Sequence, residues 1–156
     1  MRFANYGRQV DYTVVMAHPI SVRFREAHVG ERLKAEANAR GASTSALAEE
    51  LIDEGLRTRR HPMIGFRDGA AGRRAWLFGG PDVWEVIGGL IGGDVPPQDR
   101  VKRSVELLGL RRELIEAALA YYAEFTEEID AELEDNRRSA DEAEGLWRRQ
   151  QELLAL

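Results

Sequence analysis

Between residues 19 and 60 the apolar pattern passes from period two to a helical period. Ile20, Val22 and Phe24 point one way while Ser21, Arg23 and Arg25 point the other, the alternation of a half-buried strand. Val29, Leu33 and Ala37 then recur at four-residue steps as far as Gly41, which predicts a helix with glycine at its C-cap. Ser43 or Thr44 offers an N-cap for a second helix with Leu47, Leu51, Ile52 and Leu56 on one side. One strand and two short helices bury little apolar surface, and a lone strand leaves its N–H and C=O groups unpaired. The pattern therefore asks for a second copy, whose strand pairs with the first and whose helices interlock with it.

Ahead of this stretch, Val10, Tyr12, Val14 and Met16 alternate within an extension of residues 1–18 and predict a further short strand. Behind it, Arg57-Thr58-Arg59-Arg60-His61-Pro62 reads as a boundary, because Pro62 disfavours helical geometry at His61. Its basic cluster suits phosphates or the helix C-terminal dipole. Ile64-Gly65-Phe66 and Arg74-Ala75-Trp76-Leu77-Phe78 flank turn residues 68–72 and predict a hairpin. A helix follows from Pro81-Asp82, carrying Val83, Trp84, Val86, Ile87, Leu90 and Ile91 and ending at Gly92-Gly93. The next runs from Asp99 to Leu108, where Gly109 breaks it. A long one from Arg111 carries Leu114, Ile115, Ala118, Leu119, Tyr122, Phe125, Ile129 and Leu133. Helix, glycine turn and helix here have the shape of a helix-turn-helix. After a charged stretch through Asn136-Arg137-Arg138-Ser139, a last amphipathic helix holds Leu146, Trp147, Leu153 and Leu154. The expected architecture is mainly α with short β. Residues 1–18 form an extension, 19–60 a strand-helix-helix unit, 61–135 a hairpin plus helical domain, and 136–156 a C-terminal helix.

Charge sharpens this division. The net charge of −5 resolves into +2 over residues 1–60, zero over 61–110 and −7 over 111–156, so the chain is mildly basic in front and acidic behind. A groove-reading module needs local positive potential, not a basic whole. The acidic end suits a basic protein partner, or is simply a solvated helix face. At 156 residues with a hydrophobic share of 44%, one or two small domains are expected. No apolar run reaches the roughly eighteen residues of a membrane span, and no basic start leads into an apolar core as in a signal peptide. The absence of cysteine excludes disulfides and thiolate zinc sites and agrees with a cytoplasmic protein.

The order of elements in residues 19–60 resembles the ribbon-helix-helix family of DNA-binding dimers, over about a quarter of the chain. The resemblance implies a two-stranded ribbon in the major groove, with Ser21, Arg23 and Arg25 at base edges. Arginine can bond guanine O6 and N7 together, and serine can donate or accept. It also implies that Ser43, Thr44 and Ser45 offer N–H groups and hydroxyls to a phosphate at a helix start. The link Arg25-Glu26-Ala27-His28 is about one residue longer than in compact members. Residues 62–135, with their Ala118-Leu119-Ala120-Tyr121-Tyr122 segment, resemble a small domain common in bacterial antitoxins, often encoded beside PIN-like ribonuclease toxins. This chain carries Gly72-Arg73-Arg74-Ala75 and Gly79-Gly80-Pro81-Asp82 where that family has Gly-Lys-Pro-like and Gly-Thr-Arg-like segments. Antitoxins of this type wrap a toxin with a C-terminal segment. By that resemblance Arg137, Arg138, Leu146, Trp147 and Arg148 would meet the toxin, with Trp147 as anchor.

Nothing in the pattern calls for catalysis, a metal or a cofactor. His18, His28 and His61 are isolated, Gly-Lys-Ser/Thr and Gly-x-Gly-x-x-Gly are absent, and the carboxylates fall on solvated helix faces. The expectation is an antitoxin that binds operator DNA as a homodimer or higher homo-oligomer, neutralises a cognate toxin and has no membrane partner. Two alternatives stay open: a free-standing repressor with a C-terminal dimerisation or sensing domain, and an interaction module that never meets DNA. An alternating strand before two amphipathic helices also occurs in many α+β folds, and Ser-Thr-Ser is often only a cap.

Overall fold

The computed structural model describes residues 20–69, 72–91 and 95–155. The expected strand around Val10–Met16, Ala70-Ala71 of the hairpin turn and Gly92-Gly93 lie outside them. The described chain is mainly helical with one two-stranded antiparallel hairpin. It falls into two compact units, residues 1–44 and 45–156.

In the first unit, α1 (Ala27–Arg40) forms as its spacing predicts and buries Ala37. Gly41 stops it with φ 66°, and its N–H reaches back to the carbonyls of Ala37 and Asn38. This left-handed turn suits glycine because a Cβ there would crowd the following carbonyl. The expected strand over Ile20–Arg25 is not formed. A strand is held by its ladder, and among the described residues nothing pairs with this segment. Its alternating side chains are open instead, with Ile20 84%, Val22 58% and Phe24 47% exposed. Phe24 alone finds local cover, against Gly30 in the first turns of α1.

The helix α2 (Thr44–Arg60) buries Leu47 and exposes Leu51, Ile52 and Leu56. After it, β1 (Ile64–Gly69) pairs antiparallel with β2 (Gly72–Leu77), and Ile64 faces Leu77 while Phe66 faces Ala75. Those residues turn to the core; Gly65, Arg67, Arg74 and Trp76 share the other face. Pro81 accepts from the Leu77 N–H at 3.0 Å, returning the chain into α3 (Val83–Leu90). Asp82 is its N-cap rather than a first-turn residue, and its N–H donates to the Glu85 carboxylate at 2.8 Å. A short 3₁₀ turn, Pro97–Asp99, leads into α4 (Arg100–Leu108), which ends at Gly109. Two helices follow, α5 (Arg112–Glu124) and α6 (Thr126–Leu154).

The long helix expected from Arg111 through Leu133 is therefore broken at Phe125, whose φ of −120° and ψ of 44° leave the helical region. Its ring lies 4.6 Å from Tyr121 and 6.1 Å from His61, so the kink places an aromatic where a straight helix would pass it by. The charged stretch does not separate the last helix from what precedes it. Thr126–Leu154 is a single helix of 29 residues. The core joins the hairpin (Ile64, Leu77) to α3 (Val86, Ile87), α5 (Ile115, Tyr121) and the start of α6 (Ile129), all fully buried. Ile115→Ala removes buried volume at the middle of this cluster and should cost about 2–5 kcal/mol in urea unfolding, whereas Leu51→Ala on exposed α2 should cost far less. Equal costs would place the core elsewhere.

Candidate nucleic-acid and partner interface

The second unit is tied together by charge as much as by apolar packing. Arg57, at the end of α2, donates from Nη1 to the Tyr121 hydroxyl at 2.9 Å and to Glu128 at 2.5 Å, while its Nε meets Asp53 at 2.7 Å. Its guanidinium also lies 4.2 Å from the Phe125 ring centroid. The Tyr121 hydroxyl donates in turn to Glu128 at 2.9 Å. Burial works against the Arg57 charge, but the bonds to Glu128 and Tyr121 outweigh it and raise its pKa further. Burial likewise lifts Tyr121 well above the ordinary phenol range, so it stays a donor. Beside this knot Glu124 accepts from Arg60 at 2.6 Å and pairs with His61 at 3.0 Å. The basic cluster at the end of α2 is thus partly spent inside the unit rather than held for phosphates, and His61 is not isolated.

The hairpin is pinned in the same manner. Arg73 binds Glu54 through both Nε and Nη2, the latter at 2.8 Å, and also reaches Asp68 at 3.1 Å. On the other face Arg67 and Arg74 sit directly opposite each other, an unfavourable like-charge pair that each arginine relieves separately. Arg67 meets Asp82 at 2.6 Å and lies 4.9 Å from the Trp76 centroid. Arg74 lies over Trp84 at 5.5 Å and near Glu132. Trp84 Nε1 and Glu132 Oε2 are buried with no hydrogen-bond partner among the described residues. Burial, only partly offset by Arg74 and reinforced by Glu128 and Asp82, pushes the Glu132 carboxyl up to about 7. Between α2 and the hairpin runs an open groove of about 560 Å³ lined by Leu51, Phe66, Trp76 and Phe78.

The residues expected at DNA are all exposed. Ser21, Arg23 and Arg25 follow one another at alternate positions ahead of α1; Ser43 precedes α2, and Thr44 and Ser45 open it. Those expected at a toxin lie on one exposed length of α6, where Arg137 pairs with Glu134 at 2.8 Å, Arg138 with Asp135 at 2.5 Å and Arg148 with Glu144 at 2.7 Å. Leu146 and Trp147 stand 54% and 60% exposed. The Arg57 knot has no counterpart in the sequence reading. Its partners lie 64 and 71 residues away, beyond any local periodicity.

Among the described residues no cluster of three His, Asp or Glu gathers as for a metal ion, and no helix is long and apolar enough to cross a membrane. No family model, no curated protein and no solved structure matches the chain.

The raised carboxyl yields a pH signature. An unfolded chain releases the Glu132 proton near the ordinary 4.5, and the folded chain holds it to about 7. Its contribution to stability is therefore full below 4.5 and lost as pH climbs through 7. Glu132→Gln, which keeps a neutral side chain at every pH, should match the wild-type melting temperature near pH 4.5 and exceed it increasingly towards pH 8. A gap that does not change with pH would show that the carboxyl does not titrate in this range.

Proposed function

We propose that the chain is a DNA-binding antitoxin that works as a dimer. The observation that carries the reading is the segment Ile20–Arg25. Three apolar side chains, Ile20, Val22 and Phe24, alternate with Ser21, Arg23 and Arg25, all six stand exposed among the described residues, and two helices separated by left-handed Gly41 follow. Pairing this segment with its equivalent in a second copy would supply the missing ladder and let Ile20, Val22 and Phe24 turn inward. At roughly 25 cal/mol per Å², the apolar area so hidden is a large driving force for association. The opposite face of the ribbon would then carry two Ser21, two Arg23 and two Arg25, a width and chemistry suited to the major groove. Ser43, Thr44 and Ser45 would receive flanking phosphates at the start of α2.

At the other end of the chain, α6 offers an acidic helix with Trp147 near its tip, the side-chain type that most often anchors a protein interface. It supports the second half of the reading, neutralisation of a toxin by helix docking. A toxin that itself binds RNA presents a basic groove, and the −7 of residues 111–156 complements it. PIN-like ribonucleases are the toxin class we favour.

A gel shift of the DNA upstream of the gene, at fixed salt, tests the first half. Arg23→Ala should cost about 1–3 kcal/mol of specific affinity while leaving the circular dichroism and the oligomeric state unchanged. Undiminished binding would remove this segment as reader, and no shift for the wild type would remove DNA as partner. Deleting residues 137–156 tests the second half, because Ile129 and Leu133 stay in the core. The shortened chain should still shift DNA but no longer rescue growth when the neighbouring toxin gene is induced; retained rescue would place the toxin contact elsewhere.

A further inference from the structure

The exposed length of α6 carries a pattern that docking to a toxin does not require. Beyond Leu133 every described residue of the helix is exposed except half-buried Gly145. Ion pairs between neighbouring turns help it, but such pairs contribute only a few tenths of a kcal/mol each. One face carries an apolar stripe, shared with Asn136, Glu144 and Gln151. Leu133, Ala140, Trp147 and Leu154 recur at every seventh position, with Ala143 beside them and Leu146 and Leu153 along the edge. A seven-residue repeat stays on one face of a helix when that helix wraps around another. At the base of this face lies a groove of about 350 Å³ whose lining is mixed, Ile91, Tyr122 and Leu133 beside Asp130, Glu134 and Arg137. Ile91 is 42% exposed there. At the far end, Leu153 and Leu154 are 70% and 81% exposed.

We propose that α6 pairs antiparallel with α6 of a second copy, about a two-fold axis midway between Ala143 and Glu144. That axis sets residue 140 of one copy level with residue 147 of the other, and residue 133 level with residue 154. Trp147 of each copy then lies on Ala140 of the other, and Leu154 of each enters the groove beside Leu133 and Ile91. Both ends are satisfied together because groove and terminal leucines stand three seven-residue repeats apart, roughly 30 Å along the helix. The opposite, parallel order would set Trp147 on Trp147 and Ala140 on Ala140. It would demand a wide and a narrow helix separation within two turns, whereas the antiparallel order sets large on small in both layers. The contact is self-complementary, as a two-fold interface must be. Two Glu144 approach each other at the axis, and each brings its own counter-charge, Arg148 at 2.7 Å. Close approach of the partner helix is eased by the small residues Ala140 and Ala143 along the middle of this face.

This pairing does not rest on the antitoxin reading. If a toxin does bind the same face, it must first separate the two helices, so that each toxin bound leaves a second arm open.

Because the chain has no cysteine, single-cysteine variants of the whole protein report the pairing directly. Under mild oxidation Ala143→Cys, beside the axis, should form disulfide-linked dimers roughly tenfold faster than Gly145→Cys on the outer face, since only there can the two Cα atoms approach within disulfide reach. Ala140→Cys alone should be as slow as Gly145→Cys, and adding Trp147→Ala to Ala143→Cys should bring it down to that rate with helix content unchanged. Equal rates for Ala143→Cys and Gly145→Cys would overturn the pairing. Fast linkage through Ala140→Cys and Ala143→Cys alike would overturn its antiparallel sense. Arg23→Ala in the Ala143→Cys background should leave the linkage rate unchanged, so the DNA reading and the pairing stand or fall separately.

Discussion

The contact between Arg57 and the Tyr121–Glu128 pair is the interaction on which the second unit depends. It is a cation held by two partners from different helices, with an aromatic face beneath it. Removing any one member would leave another buried and unmatched, which costs more than the contact itself contributes. Its geometry accounts for the break at Phe125. Were α5 and α6 one straight helix, Glu128 would lie two turns along the same rod from Tyr121. The bend brings its carboxylate back onto the hydroxyl and slides the Phe125 ring under the guanidinium. The hairpin is secured to α2 by a second arginine, Arg73 on Glu54. The end of α2, the hairpin and the α5–α6 elbow are thus fixed by arginines from α2 and β2.

Local patterns were legible in the sequence wherever a single element satisfied its own chemistry. The four-residue steps and Gly41 gave α1, the turn residues gave the hairpin, and Gly109 gave the end of α4. Sequence reasoning went astray where long-range contacts decided. Phe125 fits the apolar stripe of a continuous helix, and only the Arg57 knot tells it to leave that stripe. The sequence reading set the last helix apart from the one ending at Leu133 across a charged stretch, yet pairs such as Arg137–Glu134 and Arg138–Asp135 lie in one helix that runs through it. The alternation from Ile20 to Arg25 is plain in the sequence, but alternation specifies faces and not a partner. Among the described residues of one chain nothing pairs with it.

The candidate surfaces divide similarly. Arg23 and Trp147 could be singled out because an arginine among alternating apolar positions and a tryptophan near a helix tip are unusual where they stand. The cations of the α2 end could not be sorted in advance. Three arginines within four residues, Arg57, Arg59 and Arg60, look equivalent, yet Arg57 is committed to Glu128 and Arg60 to Glu124, and Arg59 lines the groove beside the hairpin. A basic cluster is therefore a poor guide to nucleic-acid contact until its internal partners are known.

The unbroken course of α6 has a consequence for how the chain can change. A rigid helix links the rotation of its tip to that of its root: each residue added between Ile129 and Trp147 turns the tryptophan by about 100° and carries it 1.5 Å further out. A single insertion would thus aim Trp147 at a different quarter of space without touching any contact it makes, while seven inserted residues would return it to within about 20° of its first bearing. The length of this helix is free to drift only in whole repeats, and its phase, more than its composition, is what a partner at the tip would feel.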